Sequence, residues 1–348
     1  MKIVDAYQNT KVMSKSMISP IFMTLMLTIL LVTTFINLNN VIKSNEEVVY
    51  NLAPDSELAA QVMDGVYNKR LQVKDYIKTS ADSAKENFRQ FSDSLDKLIE
   101  QARQEIHHPE RAALLVEIES LNHQYDETFY NEVVKNNETR NEIVNNQMSI
   151  IAPQTEQQLS RLIETSFQSN DAEIAHDMSE LLKHFLLARL YVFKYLDDNS
   201  EEAKQRTFNE LATVEVQGQS LTARLISRAQ LNALGEVLDN INQYQTGFEN
   251  VVAAIEKRNL AIQNILDKNG VSIAEKTVQL KDSVFQSMIE TGEQSNQQLI
   301  DTQIYTVIIF LVAASLGLFL SYQLARGIVN PIETIRQTIN KVAAGDLT

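Results

Sequence analysis

The sequence contains no cysteine and no tryptophan, and its 348 residues include only 9 glycines and 5 prolines. Without cysteine, the chain cannot form a disulfide framework, a zinc ribbon, an iron–sulfur cluster or a thiol nucleophile. So few turn-forming residues cannot separate the many strands of a β sandwich or a Rossmann sheet. The sequence therefore predicts an all-α protein made of long helices.

Positive charge is also scarce, with 31 Lys and Arg residues against 45 Asp and Glu residues and a net charge of −14. Such a chain would release few phosphate counterions, so we expect no nucleic-acid partner. The sequence lacks a glycine-rich phosphate loop, a Gly-x-Ser-x-Gly elbow and a His-Glu-x-x-His run. We therefore expect no enzymatic activity, no catalytic residue and no cofactor.

Two uncharged stretches, 17–36 and 302–325, are predicted to span a membrane. At 1.5 Å per residue, each is long enough to cross about 30 Å of hydrocarbon as a helix. The first could be a secretory signal, because lysines precede it. Its length, and the lack of an Ala-x-Ala site after it, favour an uncleaved anchor instead.

The outer flanks of both stretches carry basic residues, namely Lys2, Lys11, Lys15, Arg326, Arg336 and Lys341. Because Lys and Arg mark cytoplasmic flanks, we expect residues 1–16 and 326–348 to lie in the cytoplasm. Residues 37–301 would then lie outside the inner membrane. This segment holds 42 acidic and 25 basic residues, and a cysteine-free domain suits an oxidising periplasm.

Apolar residues recur at heptad-like spacing through the periplasmic segment, as in Leu181, Phe185, Ala188, Val192 and Tyr195. Breaks rich in Pro, Asn, Ser and Asp separate these patterns at 53–55, 79–83, 107–109, 169–171 and 197–200, with a softer break near Gln217-Gly218. The predicted helices are 38–80, 83–106, 110–168, 171–197, 200–226 and 228–301.

Comparing the sequence with itself at an offset of 119 indicates an internal duplication. The clearest match places Arg70-Leu-Gln-Val-Lys-Asp-Tyr76 on Arg189-Leu-Tyr-Val-Phe-Lys-Tyr195. Helix lengths then predict two stacked four-helix bundles. The first bundle, nearer the membrane, would contain helices one and two, the start of three and the end of six. The second would contain helices four and five, the end of three and the start of six.

Each predicted bundle has one arginine and one tyrosine at matching height: Arg70 with Tyr125, and Arg189 with Tyr244. Pro153 and Gly270 lie opposite these pairs, where we expect a helix to restart. Ser272 opens a capping-box pattern, and a helix start exposes N–H groups that favour anions. Because an Arg fork binds a carboxylate in bidentate fashion, Arg70, Tyr125, Arg189, Tyr244 and Ser272 are the candidate ligand-binding residues.

Simpler interpretations remain open for these residues. Arg and Tyr on helix faces usually reach solvent, and Pro153 and Gly270 could be kinks that let long helices curve around the core. Glu105 with His108 and Glu173 with His176 have the Glu-x-x-His spacing of di-iron bundles. Because these pairs fall at helix ends in different bundles, we expect no metal site.

The C-terminal tail contains Asn330-Pro331-Ile332-Glu333, apolar residues at Ile335, Ile339 and Val342, and a final Gly345-Asp346-Leu347. It resembles the first half of a HAMP linker, a dimeric coiled-coil unit. With the two spans and the duplicated six-helix domain, the chain resembles bacterial methyl-accepting chemotaxis receptors with a helical bimodular (HBM) sensor domain. On this resemblance, the chain stops within HAMP.

The resemblance implies a homodimeric receptor in the inner membrane that senses small organic acids and signals to cytoplasmic CheA/CheW-type chemotaxis machinery. One alternative is the input half of a sensor histidine kinase, which could sense through a docked periplasmic binding protein. Another is a membrane-tethered helical protein without a ligand. The HAMP-like tail disfavours this last alternative.

Overall fold

The computed structural model describes residues 12–343. Of these residues, 96% are helical and none lies in a β-strand, which confirms the all-α prediction. The six continuous helices are α1 (12–79), α2 (Asp82–Glu105), α3 (109–168), α4 (Ala172–Asp198), α5 (Glu201–Arg224) and α6 (228–343). The predicted boundaries of the first five helices agree with these to within a few residues, apart from the start of α1 at residue 12.

Three of the helices contain π-helical turns, in which the backbone hydrogen bonds are one residue longer than in an α-helix. The turns are Glu47–Leu52 in α1, Phe129–Val134 and Val144–Met148 in α3, and Ile262–Leu266 in α6. The α-helical segments beside them are Val12–Glu46, Ala53–Thr79, Pro109–Thr128, Lys135–Ile143, Ser149–Gln168, Arg228–Ala261 and Asp267–Ala343.

Polar side chains fix several helix starts. The Asp171 carboxylate accepts a hydrogen bond from the Ile174 N–H at 3.2 Å, and the Ser200 hydroxyl accepts one from the Ala203 N–H at 3.2 Å. Pro109 begins α3, where a missing N–H costs nothing. These caps supply partners for N–H groups that have none within the helix.

The chain divides into two compact units, and the first comprises residues 1–58 and 281–348. Its described part contains two helices that are long enough and apolar enough to cross a membrane, with mean hydropathies of 2.2 and 2.3 over their most apolar windows. Apolar side chains such as Phe35 and Leu318 are exposed there. The two stretches approach each other where Gly317 faces Met23.

The second unit comprises residues 59–280 and contains two four-helix cores. The first bundle packs α1, α2, the early part of α3 and the later part of α6 around Val66, Phe88, Phe129 and Ile273. The second bundle packs α4, α5, the end of α3 and the start of α6 around Leu159, Phe185, Val214 and Phe248. These are the helix combinations that the sequence predicts for its two bundles.

Equivalent contacts occur in both bundles at the predicted offset. Tyr76 meets Phe129 edge-on with ring centroids 5.5 Å apart, and Tyr195 meets Phe248 in the same way at 5.5 Å. The turn after α1 places Ser80 at φ 53°, and the turn after α4 places Asn199 at φ 53°. Since two unrelated turns would rarely share a left-handed residue and a ring contact, the duplication extends to the packing.

Four predicted breaks are wrong. Pro54 lies inside Ala53–Thr79, and Gly218 lies inside Glu201–Arg224. Pro153 lies inside Ser149–Gln168, and Gly270 and Ser272 lie inside Asp267–Ala343. An interior glycine costs a helix only about 1 kcal/mol and a proline about 3 kcal/mol, so packing along these faces keeps the helices continuous.

The predicted HAMP segment continues from the second apolar stretch as a single helix as far as Ala343. The Gly345-Asp346-Leu347 motif and most of the predicted cytoplasmic N-terminus, residues 1–11, lie outside the described residues.

Candidate functional site

The structure brings three of the predicted residues of the first bundle together. Arg70 of α1 packs directly over Gly270 of α6, where an added Cβ would lie 2.8 Å from the Arg70 Nε. The Arg70 charge also acts on the Tyr125 hydroxyl of α3. Beside them, the Asn269 amide donates to the Gln124 side-chain oxygen at 2.9 Å, which joins α6 to α3. The missing side chain at Gly270 is what allows the guanidinium to lie against the helix.

Tyr125 is almost completely buried. Its ring lies parallel to that of Phe88, with centroids 6.3 Å apart. Burial raises the pKa of the Tyr125 hydroxyl, and the Arg70 charge opposes that rise. The hydroxyl therefore remains a neutral donor beside a permanent positive charge.

The structure also brings Arg189 and Tyr244 together in the second bundle. Burial raises the pKa of Tyr244, and Arg189 opposes the rise. Here, however, the Arg189 Nη1 donates to the Glu156 carboxylate at 2.7 Å. Glu156 lies three residues after Pro153, on the segment predicted to face this pair.

The two arginines therefore differ in their partners. Arg189 already neutralises a carboxylate of its own chain, so a ligand would have to displace Glu156. Arg70 is half-buried and forms no ion pair or hydrogen bond with the residues of 12–343, although the Asp267 carboxylate, one turn before Gly270, acts on the neighbouring Tyr125. A guanidinium carries five N–H donors that favour a planar oxyanion. In the first bundle, a carboxylate would not have to displace an existing ion pair of the arginine.

The prediction that Ser272 opens a restarted helix is wrong. Ser272 lies within the first turns of Asp267–Ala343, which follows Ile262–Leu266 without a break, so it caps no helix start. The free N–H groups expected of a restarted helix are absent there and at Pro153, because the residues on both sides of each position are helical and Pro153 itself has no N–H. Ser272 is half-buried two residues after Gly270.

Sequence reasoning missed a polar network inside the first bundle. Lys69, only 2% exposed, donates to the Asn122 side-chain oxygen at 2.8 Å and forms an ion pair with Asp126. Asn122 in turn donates to Asp96 at 2.7 Å, and Ser92 donates to Asp126 at 2.6 Å. The network joins α1, α2 and α3 one residue away from Arg70 and Tyr125.

Burial disfavours the charged forms of two groups in this network, the Lys69 ammonium and the Asp96 carboxylate. Desolvation lowers the pKa of the Lys69 ammonium, and Asp126 partly restores it. Desolvation also raises the pKa of the Asp96 carboxyl, and the neighbouring Asp126 raises it further. The Lys69 Nζ lies 5.2 Å from the centroid of the Phe88 ring, a distance at which the ring face attracts a cation. Positive charge is thereby held beside the aromatic cluster of the first bundle.

The second bundle has no equivalent of this network. At the offset of 119, Lys69 corresponds to Ala188, Ser92 to Leu211 and Asn122 to Ile241, and all three apolar residues are buried. The duplicated cores therefore share their aromatic contacts but not their charges.

A periodic signal could have identified Lys69. Val62, Val66, Val73 and Tyr76 form the buried stripe of α1, and Lys69 occupies the remaining position of that stripe. Since a lysine is almost never buried without a partner, its place on this face predicts an acidic residue on a facing helix.

Two grooves lie elsewhere, in the second bundle. A cavity of about 770 Å³ at the far end of the second bundle is bordered by Arg161, Arg224 and Ile226. Another, of about 510 Å³, follows Asn146, Gln147 and Asn242. Neither contains Arg70 or Arg189. In residues 12–343, no three His, Asp or Glu side chains cluster as they would around a metal ion.

No protein-family model matches the chain, and no curated protein matches it either. The resemblance to HBM receptors and to HAMP therefore depends on the motifs quoted above.

Proposed function

We propose that the chain is the sensing half of a transmembrane receptor that binds a small organic acid in its periplasmic first bundle. The observation that supports this most directly is Arg70, a half-buried guanidinium without a partner between Tyr125 and Gly270. Its fork would hold the carboxylate, the Tyr125 hydroxyl would donate to it, and the nearby Lys69 charge would favour an anion.

Binding would change how α6 packs against its neighbours. Arg70 lies on α1, Tyr125 on α3 and Gly270 on α6, so a carboxylate held by Arg70 and Tyr125 favours the packing in which α1 and α3 are closest. The packing with greater affinity for the ligand is then populated more. Because α6 continues into the second apolar stretch, such a shift would travel along one helix towards the cytoplasm.

The HAMP-like end of α6 supports a homodimer with output to chemotaxis machinery. Ile332, Ile335 and Ile339 are each at least 58% exposed in the single chain. Their spacing of three and four residues is that of a coiled-coil seam, which a second copy would cover.

Isothermal titration of the full chain in detergent or nanodiscs against acetate, malate, succinate and citrate tests the proposal. We expect heat from at least one acid, and a loss of affinity of about 10- to 100-fold in Arg70→Gln, since a charge-assisted hydrogen bond contributes about 1.5–3 kcal/mol. Arg189→Gln should leave binding at the first bundle unchanged. No heat from any acid, or unchanged affinity in Arg70→Gln, would contradict the proposal.

Gly270→Ala provides a variant that should weaken binding without unfolding the protein. The new methyl group would displace the Arg70 side chain, while the helix gains about 1 kcal/mol in propensity. We expect weaker acid binding together with an unchanged or higher melting temperature. Gly235→Ala is the matched control, because nothing lies within 4 Å of its added Cβ. Equal acid affinity in both glycine variants would exclude Arg70 as the ligand contact.

A second candidate is docking of a periplasmic binding protein, as in some sensor histidine kinases. It is favoured by the turn between α5 and α6, where Ile226 is 99% exposed beside the 770 Å³ groove. Ile226→Asp would abolish such docking but would leave the heat of acid binding unchanged.

A further inference from the structure

The junction between the two bundles contains a pair of arginines that the organic-acid site does not use. Arg258 of α6 is only 7% exposed. Its Nη1 donates to Asn137 at 3.1 Å, its Nη2 to Asn199 at 2.9 Å and its Nε to Asn259 at 3.1 Å. All of these acceptors are neutral amide oxygens.

Two helix-connecting turns meet at this guanidinium. Asn199 is the left-handed residue of the turn after α4. Asn137, which is 1% exposed, also donates to the hydroxyl of Ser80 at 2.8 Å, and Ser80 is the left-handed residue of the turn after α1. Arg258 therefore links the equivalent turns of the two repeats.

Arg140 of α3 adds a second guanidinium beside the first. Its Nη1 donates to Asn141 at 2.6 Å and its Nη2 to the Leu196 carbonyl at 3.3 Å. Its Nε is buried and has no acceptor. Neither Arg140 nor Arg258 forms an ion pair with any carboxylate in the described part of the chain.

This arrangement is unusual in so acidic a segment. Burial lowers the pKa of Arg258, and the Arg140 charge lowers it further. Removing a charge from water is unfavourable unless an opposite charge compensates it, and a second like charge nearby makes it more unfavourable. Elsewhere the chain supplies carboxylates for its arginines, as Glu156 does for Arg189 and Asp177 for Arg224.

We propose that Arg140 and Arg258 bind a small oxyanion, such as phosphate or a carboxylate, at the junction between the two bundles. The unpartnered Arg140 Nε–H and the remaining N–H groups of both forks are the donors, and the anion neutralises the pair. By doing so it holds the turns at Ser80 and Asn199 together. This site is separate from Arg70 and does not depend on the sensor function.

Thermal unfolding of the full chain in detergent, at constant ionic strength, tests this inference with inorganic phosphate, acetate and chloride as probes. A ligand at 100 times its Kd stabilises the folded state about 100-fold, which raises the melting temperature of a domain of this size by about 5 °C. We expect that shift with phosphate or acetate but not with chloride. A shift with phosphate alone would identify the ligand as a phosphate, and one with acetate alone as a carboxylate.

Arg140→Gln is the decisive variant, since it leaves the Arg258 amide contacts in place. It should lower the oxyanion affinity by at least about tenfold, whereas Arg103→Gln, at an exposed ion pair with Glu119, should retain it. Arg70→Gln should also retain it, which separates this site from the organic-acid site. An equal shift in chloride, or a full shift in Arg140→Gln, would refute the inference.

Discussion

Asp96 lies at the end of the hydrogen-bond chain that begins at Lys69, and it faces a second carboxylate, Asp126. Both its burial and Asp126 favour its protonated form. Asn122 stabilises the charged form by donating to it. This balance makes the Lys69 network of the first bundle sensitive to acid.

Asp96→Asn should therefore change the pH dependence of stability. The pKa of Asp96 in the folded protein lies above its ordinary value of 3.8. Its contribution to stability is thus fully present below pH 3.8 and is lost as the pH rises through the folded-state pKa. We therefore expect Asp96→Asn to gain stability relative to the wild type as the pH rises from about 3 to about 7.

Melting temperatures of both proteins across this range would measure the effect. Asp93→Asn, which removes an exposed carboxylate one turn away, is the control and should show no such trend. A difference between Asp96→Asn and the wild type that stays constant with pH would contradict the assigned direction of the shift.

At the scale of the helices, the sequence predicts most boundaries because heptad spacing ends where Pro, Asn, Asp and Ser cluster. It does not predict continuity through Pro153 and Gly270, since local breakers are weak compared with packing along 60 or more residues. It does not predict the π turns either. One of these turns precedes each of the two positions: Val144–Met148 before Pro153, and Ile262–Leu266 before Gly270.

A π turn accommodates one extra residue without rotating the helix beyond it. Deleting the exposed Asn146 should convert Val144–Met148 into ordinary α-helix and leave the core register of the second bundle intact. Deleting the exposed Gln157, which lies in regular α-helix, should rotate the remainder of α3 by about 100°. We expect cooperative unfolding, with a melting temperature within a few degrees of wild type, for the first deletion only.

Circular dichroism melts of the two deletion variants would distinguish these outcomes. An equal loss of cooperativity in both deletion variants would contradict this expectation, because it would show that folding requires the extra residue of the π turn.

For the candidate site, the sequence predicts which residues meet but not how they are partnered. The duplication and helix lengths place Arg70 near Tyr125, and Arg189 near Tyr244. Nothing in the sequence distinguishes the free Arg70 from the paired Arg189, because Glu156 is one of many acidic residues on α3. The residue type alone does not indicate that Lys69 is buried, because a lysine usually lies in solvent even when its position falls on an apolar stripe.

At the scale of the whole molecule, the absence of cysteine allows the membrane topology to be tested with single reporters. Ile226→Cys lies in the fully exposed turn between α5 and α6, and Ser16→Cys precedes the first apolar stretch. In spheroplasts, a membrane-impermeant maleimide should label the first variant at once and the second only after lysis. The reverse pattern, or immediate labelling of both, would rule out the proposed orientation.

Each four-helix core is completed by a segment from the other repeat: the end of α3 enters the second bundle, and the later part of α6 enters the first. Either repeat expressed alone would thus leave one side of its core open to water. Two separate copies could close both cores only by exchanging their terminal segments, as in a domain-swapped dimer. Tandem fusion makes that swap intramolecular, so it no longer depends on protein concentration.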